Sequence, residues 1–227
     1  MVLSVHEKVK SDRLYKAFDL MAAKNLDAAE GELHAGLSEA ESQEDKVLAA
    51  LFYSTLGVLY KVKKEFPKAW KFYEKAEKLL PEDPALKLIS ARLLIDVFGQ
   101  FDTALRRCQK VLEISRSDPP FLHQANATMG LAYLKKGERT KAVQCLVDAM
   151  KDDFEGLASA TNIDLKLIEA LIRKKAGLEE GRRYLQAARR FAENKGEDKF
   201  VELYTRLLDA YPESEVGETT DVKIPMN

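Results

Sequence analysis

The sequence predicts an all-α chain, a solenoid of about five helical hairpins closed by a C-terminal capping helix. Three observations predict it. Apolar residues recur three and four apart in segment after segment, the spacing that places them on one face of a helix. In residues 53–81, YSTLGVLYKVKKEFPKAWKFYEKAEKLLP, two such faces are separated by Glu65-Phe66-Pro67 and ended by Pro81. The arrangement then returns, with Gly130 standing 73 residues after Gly57, about two periods.

Within 53–81, Tyr53, Leu56 and Tyr60 share a face of the first helix, and Ala69, Tyr73 and Ala76 form the matching face of the second. Gly57 and Ala69 are small where the helices must approach. Pro67 suits the first turn of a helix, where its missing N–H costs nothing, and Pro81 stops one.

In chain order, residues 1–9 read as a lead-in and residues 10–194 as the array. Its hairpins fall at about 10–47, 50–83, 85–118, 123–156 and 162–194. In the first, Leu14, Ala17, Phe18 and Met21 face Ala29, Leu33 and Leu37 across the turn Lys24 to Asp27, with Asp27 the N-cap candidate. About six extra residues, within Ser38 to Asp45, either lengthen the second helix or form an acidic loop. The third hairpin pairs Leu88, Ala91 and Ile95 with Ala104, Cys108 and Val111. Here Arg92 stands in the glycine place, with a one-residue shift of register as the alternative. Ser115 to Pro120 breaks the chain. Met129, Gly130 and Tyr133 restore the pattern, completed by Ala142, Leu146 and Ala149. The fifth hairpin pairs Leu165, Ile168 and Ile172 with Gly181, Leu185 and Ala188. Residues 195–212, with Phe200, Leu203, Leu207 and Leu208, read as the capping helix that hides the last core. Residues 213–227 are a polar tail.

At Tyr53, Leu56, Gly57, Tyr60, Ala69, Tyr73 and Pro81 the chain resembles the tetratricopeptide repeat, whose pattern W-x2-L-G-x2-Y, A-x3-F, P fills about 34 residues. Tyr53 replaces the tryptophan and Tyr73 the phenylalanine. The resemblance covers about residues 10–194 and is sharpest in the second and fourth hairpins. It implies a right-handed stack whose first helices line a concave groove, and a protein or peptide partner. The positions it places in the groove are Ser11, Leu14, Phe18 and Met21, then Leu51, Ser54, Val58 and Lys61. Leu86, Ile89, Leu93 and Asp96 follow, then Gln124, Ala127, Leu131 and Leu134, and finally Ile163, Lys166, Ala170 and Arg173. Leu14 and Phe18 stand where relatives that clamp a chaperone's C-terminal carboxylate have a basic residue and an asparagine, so binding of that kind is not expected. The groove reads as apolar over four hairpins. An open apolar groove calls for an occupant, either an amphipathic or apolar segment or a second copy of the chain. The alternative is a register one residue off, which would make these residues core between hairpins.

With 36 basic and 37 acidic side chains the net charge is −1, which gives no pull toward nucleic acid or anionic lipid. Arg173, Lys174, Lys175, Arg182, Arg183, Arg189 and Arg190 crowd the fifth hairpin. They read as a solvated face first, and as a site for an acidic peptide or RNA second. In a third reading they meet Glu213, Glu215 and Glu218 of the tail. There is no phosphate-binding glycine loop and no nucleophile elbow. His6, His34 and His123 form no ligand pair. Cys108 and Cys145 read as buried reduced thiols. No catalysis, cofactor or metal is therefore expected. No apolar run spans a bilayer and no signal peptide is evident, which points to the cytoplasm, though an exported mature form remains compatible.

Overall fold

The computed structural model describes residues 11–211, and among them are eleven α-helices and no strand. The expected lead-in (1–9) and tail (213–227), with His6 and the tail's glutamates, lie outside the described residues. The helices pair as consecutive hairpins: α1 (Asp12–Ala22) with α2 (Leu26–Ser42), α3 (Lys46–Val62) with α4 (Phe66–Leu79), and α5 (Pro84–Leu93) with α6 (Phe101–Ile114). Then α7 (Pro119–Lys135) pairs with α8 (Arg139–Ala149), α9 (Lys166–Arg173) precedes α10 (Leu178–Lys195), and α11 (Asp198–Asp209) packs on α10. Each hairpin packs on the next, giving an all-α solenoid.

Local chemistry explains where the helices start. Asp45, Asp83 and Asp118 accept hydrogen bonds from the backbone N–H groups of Leu48, Leu86 and Phe121, capping α3, α5 and α7. Pro67, Pro84, Pro119 and Pro120 sit in first turns. In the first hairpin Asn25, not Asp27, is the cap, accepting from Ala28 N–H at 3.4 Å. The six-residue insertion lengthens α2 to Ser42 rather than forming a loop. The fifth hairpin's first helix begins at Lys166, four residues after the expected start, because residues 150–165 fold into turns.

The third hairpin departs from the others. α5 runs directly into one π turn, Leu94–Phe98, ended by left-handed Gly99. A π turn closes on i+5 and so holds one more residue than an α turn. The extra residue matches the 35-residue step from Phe66 to Phe101. Counting through it moves Ala91, which is fully buried, into the glycine place and turns Arg92 toward the groove positions. The expected assignment of Arg92 to the glycine place is thus corrected.

The core runs the length of the stack in two main clusters. One gathers Leu14, Leu33, Phe52, Leu56 and Tyr73 and reaches Leu93; the other extends from Ala85 to Tyr211. Trp70 packs against both. At the turns, Lys63 reaches back to Asp27 and Glu30 at 2.7 and 2.6 Å, and Lys136 to Asp102 at 2.5 Å. Solvent screens these surface pairs, so each contributes little to stability.

Two glycines should respond oppositely to alanine. A methyl on Gly57 would run into the ring of Tyr73, which is buried and has no room to retreat, so Gly57→Ala should cost about 1–3 kcal/mol. Gly31 lies within α2 with nothing within 4 Å of where an alanine methyl would sit, so Gly31→Ala should gain about 0.5–1 kcal/mol. Urea midpoints would check this, and shifts of the same sign would contradict the packing described.

Candidate functional site

At the middle of the solenoid, the segment before α9 is drawn against three other elements by one residue. The Asp164 carboxylate pairs with Arg92 of α5. Its Oδ1 also accepts from Lys166 N–H at 2.8 Å, at the start of α9. Its backbone N–H donates to His123 Nε2 of α7 at 2.8 Å, and its carbonyl accepts from the Tyr184 hydroxyl of α10 at 2.8 Å. The Arg92 and Asp164 side chains are only 12% and 10% exposed. Arg92 Nε also donates to Thr128 Oγ1 at 2.9 Å, while its Nη1 is buried without a partner.

Lys61, at the end of α3, is half-buried beside this cluster. Burial lowers its pKa, Asp96 opposes that, and the charges of Lys166 and Arg92 add to it. The structure therefore brings together Lys61, Asp96 and Lys166, groove positions from three different hairpins. They place two ammonium groups and a carboxylate beside an apolar strip.

That strip is shorter than the sequence suggests. Phe18 is 42% exposed, and Met21, Val58 and Ile89 are half-buried. Leu14, Leu51, Ser54, Leu93, Ala127, Leu131 and Leu134 are buried in the core. The expectation of an apolar groove open over four hairpins is corrected at these positions. In α7 the reason is packing from both sides, by α5 and by α9. In α5 it is packing by α4 and α7, with Leu86 set against Ala50 and Ala76 and Leu93 joined to the first core cluster. Ser54 turns its hydroxyl to the Leu51 carbonyl at 2.9 Å.

The basic residues of the fifth hairpin are spread over two helices. Arg173 and Lys174 are exposed at the end of α9. On α10, Arg182 and Arg189, and likewise Arg183 and Arg190, stand seven apart and form adjacent stripes. Arg189 lies 3.3 Å from Glu193 and Arg190 3.2 Å from Asp153, so part of the stripe is internally neutralised.

Two clefts, of about 430 and 800 Å³, open elsewhere on the surface, and none of the expected groove residues lines either. The larger is walled by Pro119, Leu122, His123 and Asn126 on one side and by residues 147–155 on the other. In that second wall Asp152, Asp153 and Phe154 have φ of 54°, 48° and 67°, three successive left-handed non-glycine residues. Each costs roughly 1–2 kcal/mol. The turn is held by Phe154, buried edge-on between His123 and Tyr184. The sequence reads a loop or helix start over 152–161, but nothing in it marks the left-handed backbone, since none of these three residues is a glycine.

Cys108 and Cys145 are buried free thiols, with burial pushing their pKa values up to about 12 and about 11. Among the described residues no group of three or more His, Cys, Asp or Glu could hold a metal ion, and no helix is long and apolar enough to cross a membrane.

No family model and no curated protein matches the chain. Solved structures do resemble it. The apo form of RapI superposes with a TM-score of 0.64 at 19% identity, over 89% of this chain and 77% of its own. PilF of Pseudomonas aeruginosa gives 0.59 at 15%, over 89% and 91%. A tetratricopeptide repeat protein from Parabacteroides merdae gives 0.54 at 13%, over 89% and 80%. At such identities the likeness speaks to fold, and the fold is a tetratricopeptide-like α-solenoid.

Removing one partner of a buried ion pair strands the other, so Arg92→Met and Asp164→Asn should each cost about 3–5 kcal/mol. The double variant should lose less than the sum, with a coupling of about 1–3 kcal/mol. A double-mutant cycle by urea denaturation measures this, and strict additivity would show that the pair is not a stabilising contact.

Proposed function

We propose that this chain is a non-catalytic scaffold that binds an amphipathic protein segment on the concave side of its solenoid. The observation that carries the reading is the surface running from α1 to α5. Phe18, Met21, Val58 and Ile89 keep apolar area open along it, and it ends at the half-buried ammonium of Lys61. Tetratricopeptide-like neighbours of the fold are consistent with such a role. An apolar helix face would lie on the strip, and an acidic side chain at its end would meet Lys61 and Lys166. Two or three Leu-sized anchors, each worth about 1.5–3 kcal/mol before ordering costs, would give a dissociation constant on the order of micromolar.

A second reading has its own observation. Tyr15 is 57% exposed on α1, the first described helix, which no described hairpin covers on its outer side. A second copy docking there would make the protein a self-associating scaffold.

A panel of amphipathic helical peptides, acidic and basic, would be titrated by fluorescence anisotropy. Acidic members should bind, and Phe18→Asp and Lys61→Glu should each weaken binding about tenfold or more, roughly 1.4 kcal/mol, with unchanged melting. Equal binding by both variants would sink the concave-face reading. Light scattering across a wide concentration range separates the second reading, since a constant mass of 25.6 kDa would rule out self-association.

A further inference from the structure

We propose that His123 is a pH-operated latch that fastens residues 150–165, and through them α9 to α11, to the fourth hairpin. The ring is 4% exposed and both nitrogens are engaged. Nδ1 lies 2.7 Å from the Ala149 carbonyl oxygen and Nε2 lies 2.8 Å from the Asp164 backbone nitrogen. A carbonyl only accepts and a backbone N–H only donates. The ring is therefore neutral, with its proton on Nδ1 and its lone pair on Nε2.

Protonating Nε2 would set two N–H groups against each other. The Asp164 amide would lose its acceptor, and a charge would appear against the edge of Phe154, whose ring centroid is 5.6 Å away. The groups facing the ring come from each element packed on it. α5 contributes the Arg92 guanidinium, the segment before α9 the Asp164 carboxylate, α8 the Ala149 carbonyl, and the turn the Phe154 ring. Asp148, Asp152, Asp153, Glu155, Arg116 and Lys151 line the cleft that His123 also borders. Burial acts most strongly and lowers the imidazole pKa, the hydrogen bond to the Ala149 carbonyl and the Asp164 carboxylate raise it, Arg92 lowers it again, and the balance lies below the ordinary value. A folded-state pKa below the unfolded one means the contribution to stability is complete above about pH 6.5 and is lost as pH falls below that value.

The segment's other ties are the Arg92–Asp164 ion pair, the Tyr184 hydroxyl on the Asp164 carbonyl, and Gln124 Nε2 donating to the Asn162 carbonyl at 3.2 Å. Ala160 N–H donates to Glu197 Oε2 at 2.8 Å, and the Tyr204 hydroxyl donates to the Ala160 carbonyl at 3.2 Å. His34 is half-exposed on α2 in the first hairpin, away from this segment, and serves as an internal control.

The test is hydrogen exchange on the full chain at about pH 7.5 and about pH 5.5, corrected for intrinsic rates, alongside NMR titration of the histidine rings. Protection in residues 155–173 and in α10 and α11 should fall about tenfold or more while α3 and α4 hold, with a midpoint that coincides with the His123 titration. His123→Gln supplies a donor and an acceptor but cannot titrate, and should abolish the fall. Even loss across all hairpins, a fall that persists in His123→Gln, or a protonated His123 beside a still-protected Asp164 amide would each overturn the latch. If His123→Gln fails to fold, coincidence or separation of the two titrations in the native chain decides.

Discussion

Every polar group of Asp164 is engaged, and the carboxyl-terminal half of the solenoid depends on that one residue. A run of turns between two hairpins has backbone groups that no helix satisfies. Asp164 satisfies its own by joining four helices: Arg92 on α5, His123 on α7, Lys166 on α9 and Tyr184 on α10. Two hairpins of a solenoid ordinarily meet only if they are neighbours. Here the third hairpin reaches past the fourth to the lead of the fifth. The bond across that gap is a nearly buried ion pair, a contact that stabilises only while both partners stay in place.

Much of the fold was legible because its determinants are local. Gly57 is small because Tyr73 of the same hairpin lies against it, and Leu56, Ala69 and Ala76 are buried as their spacing implied. The candidate site was less legible. Leu131 and Leu134 have the spacing of groove residues, yet α5 and α9 close over α7 and make them core. Helical period reports which residues share a face, not whether a distant element covers it. Arg92 was misplaced because one extra residue inside a helix leaves no mark in composition. Asp164 was missed because its partners lie as far as 72 residues away and its segment has no period to read.

The two halves of the molecule differ in consequence. The carboxyl-terminal half is knitted by buried hydrogen bonds and by the aromatic group of His123, Phe154 and Tyr184. The amino-terminal half is held by apolar packing and by exposed ion pairs at the turns, and it leaves Tyr15, Phe18 and Val62 in water. A scaffold built this way keeps rigidity at one end and open surface at the other. Under the function proposed above, recognition would fall to the first hairpins and shape-holding to the last.

The π turn at Leu94–Phe98 bears on how such arrays diverge. In a periodic stack, an inserted residue is a phase error that would otherwise rotate every later helix. A π turn confines the slip to five residues, so the hairpins on either side stay in step. Lineages of this fold can therefore drift in repeat length without losing their stacking. This chain keeps its helical stacking where its third hairpin has stopped spelling the motif.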